Sequence, residues 1–231
     1  MLFYIKSETV KIIGDKNLLR RINYKRAIIY LIGLNTLALG TVLFACGKLG
    51  VSALVSVPQV MANFLPLTLG NATTFVFLVL VIIEAIILGR IKWQIPAQFI
   101  LSFIFGWIVD FYGLTVGLEY LVLNTFLEKI IMTLLAIICT SIGIFMMVKS
   151  DFVLIPPDGV VDVISQKINM QFGKIKFCFD FSMIFISITL SLLFIGKITA
   201  IGIGTILAVI FVGQLINVWE HLFTVSDATS K

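Results

Sequence analysis

The sequence predicts an all-α integral membrane protein: six transmembrane helices plus two short broken or re-entrant helices, arranged as an inverted-topology repeat of three spans each. The 231-residue chain is 60% hydrophobic and only 13% charged, whereas an ordinary soluble domain is about 45–50% apolar and about 25% charged. Long apolar runs recur along the chain, and glycines fall in register between its halves. Because a soluble globule of this size leaves much of its surface wet, the composition excludes a soluble enzyme, a nucleic-acid-binding domain and a disordered chain.

The N-terminal segment is basic. Residues 1–26 carry seven of the 17 lysines and arginines, with apolar residues scattered among them. Two interpretations are open: an amphipathic helix that lies on the inner leaflet through its basic side chains, or a solvated cytoplasmic tail that sets the topology.

The predicted spans are the long apolar runs, each close to the roughly 20 residues that cross a hydrocarbon core as a helix. They lie at 27–47, 72–89, 95–116, 130–148, 177–196 and 200–222. Two shorter stretches, 53–66 and 157–170, are interrupted by proline, glycine or polar residues. At about 14 residues, each fits a re-entrant or interfacial helix better than a full span.

The distribution of positive charge predicts the orientation. If both short stretches return to the side they left, 14 of the 17 cations lie on the side of the two termini. The other side keeps Lys48, Lys129 and Lys197. Because lysine and arginine concentrate in cytoplasmic loops, both termini are expected in the cytoplasm.

The two halves of the chain match each other at several glycines. The pairs are Gly40 with Gly143 and Gly70 with Gly173 at an offset of 103, and Gly89 with Gly196 and Gly106 with Gly213 at an offset of 107. Each half then contains three spans and one broken helix. Because three is odd, the second half is inserted upside down, which is the architecture of many secondary transporters. The predicted units are residues 1–26, the repeats 27–118 and 119–222, and a cytoplasmic tail, 223–231.

Several short motifs resemble the YczE-like (YczE/YyaS/YitT) family of bacterial multi-pass membrane proteins. They are LIPPDG at 154–159, FGKIK at 172–176, FD at 179–180, GIGTIL at 202–207 with Gly213, LGVS at 49–52, and FG at 105–106 with Asp110. The resemblance extends over residues 30–220 and implies a multi-pass protein of the bacterial cytoplasmic membrane, without a defined activity. Some members carry Pro-x-Asp in both broken segments, whereas the first copy here reads Ala-Leu-Val at 53–55.

Polar side chains follow one face of each short helix, which predicts a substrate site between them. The two stripes are Ser52, Ser56, Gln59 and Asn63 on the first helix, and Asp158, Asp162, Ser165 and Gln166, continued by Asn169, on the second. On opposed broken helices, such stripes could line a hydrophilic cavity near the midplane, where free helix N-termini favour an anionic ligand group. Asp158 is equally an ordinary first-turn acid that complements the helix dipole.

Four more ionisable residues are candidates for coupling or gating, because charges inside a bilayer are costly. They are Glu84, Asp110, Lys176 and Asp180. Glu84 is either a proton-coupling carboxylate or a partner of Arg90 or Lys92. Lys176 and Asp180 are four residues apart, a spacing that allows an ion pair, and this pair is either a gate or a structural lock.

Two functions from different classes are compatible with these features. The first is a small-solute transporter or substrate-binding membrane subunit with alternating access at the repeat interface. The second is a non-transporting membrane protein that regulates or scaffolds a partner. An enzyme is not expected, because no nucleophile set is visible. One histidine and three scattered cysteines predict no metal and no cofactor. The expected partners are the lipid bilayer and an unknown small solute, and a homo-oligomer is left open.

Overall fold

The computed structural model describes residues 24–90, 92–150 and 152–229, and every regular element in them is helical. The helices are α1 (Tyr24–Gly47), α2 (Ala53–Phe64), α3 (Leu69–Leu88), α4 (Gln94–Asp110), α5 (Phe126–Ser150), α6 (Pro156–Ile168), α7 (Phe172–Ile195) and α8 (Ile203–Thr229). A π-helical turn, Phe111–Thr115, and a 3₁₀ turn, Leu118–Tyr120, connect α4 to α5. The expected helix on 1–26 lies almost entirely outside the described residues.

In the described part of the chain, six helices are long and apolar enough to cross a membrane: α1, α3, α4 with its π-helical extension, α5, α7 and α8. The prediction of a multi-pass membrane protein with six spans is therefore confirmed at this level. Their placement relative to the cytoplasm stays a prediction from the charge count.

The two remaining helices, α2 and α6, have 12 and 13 residues. At 1.5 Å per residue they extend about 20 Å, which is less than the roughly 30 Å of hydrocarbon in a bilayer. Pro156 and Pro157 occupy the first positions of α6, where a missing backbone N–H costs nothing. The prediction of a short helix between spans in each half is confirmed, whereas re-entry into the membrane stays a prediction.

The most extensive helix contact joins α1 to α5. A Cβ added at Gly33 would lie 2.9 Å from the Gly143 carbonyl oxygen, and one at Gly40 would lie 3.1 Å from the Ala136 carbonyl oxygen. The two backbones therefore approach closely through small residues, as is common between membrane helices.

The other helices surround this pair. Helix α4 packs against α1 and α3, and α8 packs against α5. Helix α2 contacts α3 and α7, and α6 contacts the same two helices. Two turns are built alike: α3 ends at Gly89 (φ 65°) and α7 ends at Gly196 (φ 75°), a left-handed conformation that glycine adopts without steric cost.

Helices α3 and α4 are packed tightly, and α7 and α8 are not. A Cβ at Gly106 would overlap the Gly70 carbonyl oxygen and the Thr74 hydroxyl. Within the described residues, α7 and α8 share no comparable contact along their lengths. Only 17% of the apolar window of each is buried, against 33–50% in the other four spans. The second half therefore holds its last two spans apart.

Both short helices pack apolar residues against α3. Val57 of α2 and Val160 of α6 belong to one buried cluster with Val76 and Leu80 of α3. The apolar faces of both short helices are thus turned towards α3.

Candidate functional site

The first half of the α2 polar stripe packs against α7. Ser52 precedes the helix and makes no side-chain cap. The fully buried Ser56 hydroxyl donates to the Ala53 carbonyl at 2.9 Å and lies 3.4 Å from the Met183 carbonyl. The Ser187 hydroxyl of α7 donates back to the Ser56 carbonyl at 3.2 Å. These groups satisfy one another between two helices.

The second half of the α2 stripe reaches the turn between α7 and α8. The Gln59 amide donates to Asn63 Oδ1 at 3.2 Å, and the Asn63 amide donates to the Thr199 hydroxyl at 3.1 Å. Thr199 is held in turn by Ser191, whose hydroxyl lies 3.1 Å from the Thr199 hydroxyl and accepts from the Thr199 backbone N–H. This chain of hydrogen bonds fastens α2 to the turn.

The α6 stripe forms contacts of its own. The Gln166 amide donates to Asp162 Oδ2 at 2.8 Å, and the Ser165 hydroxyl donates to the Asp162 carbonyl at 2.8 Å. Asp158, one turn earlier, faces α7. The structure therefore does not bring the two stripes together around one cavity.

Two cavities among the described residues agree with this. One, of about 580 Å³, is an open groove between α3 and α4 bordered by Phe75, Phe103 and Trp107. The other, of about 20 Å³, lies beside Asp158 among apolar side chains of α1 and α5 and is the size of one water molecule. Neither borders both stripes.

Lys176 joins two acids on different helices. Its Nζ lies 2.9 Å from Asp158 Oδ1 and 3.0 Å from Asp180 Oδ1. The sequence spacing predicted the pair with Asp180, and the structure adds Asp158 from α6. The Tyr30 hydroxyl is buried without a hydrogen-bond partner among the described residues, in a position where the Asp158 charge acts on it.

Asp110 closes the start of α3. Its Oδ2 accepts from the Thr68 hydroxyl at 2.6 Å, and its Oδ1 accepts from the Gly70 backbone N–H at 2.8 Å. Thr68 also caps the helix by accepting from the Asn71 N–H. Backbone N–H groups at a helix N-terminus lack intrahelical partners, so Asp110 supplies an acceptor from a neighbouring helix.

Glu84 is the centre of a second polar group, formed by α3, α4 and α6. It is 4% exposed, and Gln98 of α4 is 1% exposed. Both side chains end over Gly159 of α6, where an added Cβ would overlap the Glu84 carboxylate and the Gln98 amide nitrogen. Glu84 Oε2 and Gln98 Oε1 have no hydrogen-bond partner of acceptable geometry among the described residues.

Two further charges act on this group. Asp162 lies close enough to influence Glu84, and Lys92, in the turn before α4, influences both acids. The Glu84–Gln98 group therefore has two carboxylates and one ammonium, which leaves one net negative charge when all three are ionised. An ionisable cluster with unpaired buried oxygens inside an apolar protein is costly, which makes it a candidate functional site.

Sequence reasoning found Glu84 but missed Gln98 and Gly159. Gln98 lies in the apolar stretch IPAQFILSFIF at 95–105, where an amide was a visible signal of the same kind as Glu84. Gly159 belongs to the LIPPDG motif, but nothing in the sequence indicates that its missing side chain makes room for two groups from other helices.

A family model matches residues 24–221, which include all eight helices in whole or in large part. The chain belongs to the DUF6198 family. This is described as a family of unknown function, so membership establishes kinship without an activity. Neither a curated protein nor a solved structure matches this DUF6198 chain. The resemblance to the YczE-like family stays a prediction from its motifs.

Proposed function

We propose that this DUF6198 protein is a small-solute transporter that works by alternating access between two inverted repeats, and that the Glu84–Gln98 group is its polar centre. The observation that carries the proposal is the difference between the packed α3–α4 pair and the separated α7–α8 pair. In an inverted-repeat transporter, the two halves adopt different conformations and exchange them during transport.

The pattern of helix contacts supports the repeat. Pairing α1–α4 with α5–α8 in order, the contact of α1 with α4 corresponds to that of α5 with α8. The contacts of α2 with α3 and with α7 correspond to those of α6 with α7 and with α3. The α1–α5 contact joins the first helix of each half, so exchanging the halves maps it onto itself. At an offset of 103, Gly33 corresponds to Ala136 and Gly143 corresponds to Gly40. Both close approaches, Gly33 to Gly143 and Gly40 to Ala136, are present.

Among the α-helix contacts of the described residues, that between α3 and α4 has no comparable counterpart between α7 and α8. Gly70 and Gly106 touch there, and their partners in the repeat, Gly173 on α7 and Gly213 on α8, are partly exposed on helices that stand apart. Glycines thus occupy corresponding positions in both halves, and among the described residues the pair on α3 and α4 is in contact. We infer a second conformation in which Gly173 and Gly213 meet while Gly70 and Gly106 separate.

The polar centre lies between helices that this exchange of conformations would separate. Glu84 belongs to α3 and Gln98 to α4, so separation of these two helices opens the Glu84–Gln98 group. A carboxylate and an amide with unpaired oxygens are suited to bind a solute or coupling ion there. The α2 stripe, by contrast, has hydrogen-bond partners on α7 and the following turn, and a role in binding is not supported for it.

Cysteine cross-linking tests the second conformation. The full chain is reconstituted into proteoliposomes with Cys46, Cys139 and Cys178 replaced by serine and cysteines introduced as Gly173→Cys and Gly213→Cys. Short bifunctional thiol reagents should link this pair. A control combines Gly173→Cys with Phe211→Cys, because residue 211 lies about 200° away from 213 around the helix. Equal reaction of both pairs, or of neither, would refute the proposed exchange.

Uptake by the same proteoliposomes tests the function. Across a panel of labelled metabolites, the unlinked protein should take up at least one compound, and linking residues 173 and 213 should abolish that uptake. Flux equal to that of empty vesicles for every compound would contradict transport.

A further inference from the structure

We infer that the Glu84–Gln98 group binds a small monovalent cation through oxygen atoms, so that cation binding accompanies the transport proposed above. This inference rests on the proposed function only for its role in coupling, since the site itself is formed by side chains already in place.

The first argument is the kind of atoms present. Glu84 Oε2 and Gln98 Oε1 are buried acceptors without a hydrogen-bond partner among the described residues. A carboxylate oxygen and an amide oxygen are hard donors of the type that binds alkali and alkaline-earth cations in proteins. An anionic solute would be repelled from this position by Glu84 and Asp162.

The second argument is the geometry at Gly159. Glu84 and Gln98 come from different helices and end at the same position, above a residue without a side chain. The amide nitrogen of Gln98 now faces Glu84, and its oxygen has no partner. Turning the amide by 180° gives up the interaction of its nitrogen with Glu84 and places its oxygen beside the carboxylate, an arrangement that a bound cation would stabilise. The two oxygens would then form one side of a coordination site, with the space above Gly159 between them.

The third argument is charge. When ionised, Glu84 and Asp162 carry two negative charges, and Lys92 carries one positive charge. A single monovalent cation would neutralise the group, whereas a divalent cation would leave an excess positive charge in a low-dielectric setting, which is costly. Asp162 is on α6 and Glu84 is on α3, so a bound cation would also hold these helices together.

A direct binding measurement tests the inference. Purified full-length protein in detergent is equilibrated with ²²Na⁺, and its thermal unfolding is followed as NaCl is raised at constant ionic strength with choline chloride. The wild type should bind about one Na⁺ per chain, and NaCl should raise the unfolding temperature in a saturable way, since a ligand of the folded state stabilises it. KCl and ammonium chloride arms identify the preferred cation.

Three variants complete the design. Glu84→Gln should abolish the saturable response, and Asp162→Asn, at a more exposed position, should weaken cation affinity at least tenfold. Glu119→Gln is the matched control, because this acid is exposed in the 3₁₀ turn after α4 and should keep the full response. If Glu84→Gln does not fold, the cation affinity of Asp162→Asn is the deciding measurement.

The outcomes separate the two proposals. Absence of saturable binding of any tested cation by wild type, or a response to pH alone, overturns the cation site even if solute uptake is present. An unchanged affinity in Asp162→Asn and Glu84→Gln also overturns it. Cation binding without cross-linking between residues 173 and 213 leaves the site standing and contradicts the transport mechanism.

Discussion

Removing the Asp110 carboxylate should destabilise the packing of α3 on α4. Asp110 accepts from the Thr68 hydroxyl at 2.6 Å and from the Gly70 N–H at 2.8 Å. A hydrogen bond to a charged group contributes about 1.5–3 kcal/mol, so two such bonds set an upper range of about 3–6 kcal/mol. Asp110 is half-buried, which allows water to replace part of the loss. We therefore expect Asp110→Ala to lower the free energy of unfolding by about 3 kcal/mol.

Asp110→Asn separates charge from hydrogen bonding. Its amide oxygen can still accept from the Gly70 N–H, and its amide nitrogen can donate to the Thr68 oxygen, so the expected loss is about 1 kcal/mol. The assay is equilibrium unfolding in mixed micelles with increasing denaturing detergent. Glu119→Ala is the control, since this acid is exposed in the nearby 3₁₀ turn and should stay within about 0.5 kcal/mol of wild type. A loss in Asp110→Ala no larger than in Glu119→Ala would refute the assignment of Asp110 to helix packing.

Two further predictions use the same assay. Gly106→Ala places a Cβ into the Gly70 carbonyl and the Thr74 hydroxyl and should lower the free energy of unfolding by about 1–3 kcal/mol. Gly213→Ala on the separated α8 should be neutral or should raise that free energy by up to about 1 kcal/mol. Equal losses in the two variants would contradict the difference between the halves. Lys176→Met leaves two acids without their cation and should lower the free energy of unfolding by about 3–5 kcal/mol. Asp180→Asn keeps the ion pair of Lys176 with Asp158 and should lower it by about 1 kcal/mol. A larger loss in Asp180→Asn than in Lys176→Met would contradict the placement of Lys176 between the two acids.

The long helices were predictable because a run of about 20 apolar residues has few alternatives in a membrane. The ends of these helices were harder to predict. The predicted span at 130–148 begins at Phe126 in the structure, because Thr125 and Glu128 form a reciprocal cap: the Glu128 N–H donates to the Thr125 hydroxyl and the Thr125 N–H to the Glu128 carboxylate. Such a capping box is local and could have been read from the sequence.

The rotation of the short helices was not predictable. Periodicity identified the polar stripes of α2 and α6 correctly as helix faces, but it does not say which face meets which neighbour. Val57 and Val160 face α3 in one buried cluster, Ser56 of the α2 stripe packs against α7, and the expected common cavity between the stripes is not found among the described residues. For the same reason, the partners of Glu84 could not be read from the sequence, since Gln98 and Gly159 come from two other helices.

The start of α8 is held by backbone hydrogen bonds to the segment after α1, and the helix then packs against α5. The Gly204 N–H donates to the Leu49 carbonyl at 2.7 Å, and the Val51 N–H donates to the Ala200 carbonyl at 2.9 Å. If α8 tilts, these two backbone hydrogen bonds are the point about which it would rotate. Trp219 lies 15 residues beyond Gly204, about 22 Å along the axis, so each 10° of tilt displaces it by about 4 Å. Its indole N–H donates to the Ser141 hydroxyl at 3.1 Å, and a small rotation at the pivot would break that bond. The fluorescence of the Trp219 indole should therefore change when α8 tilts and this hydrogen bond breaks.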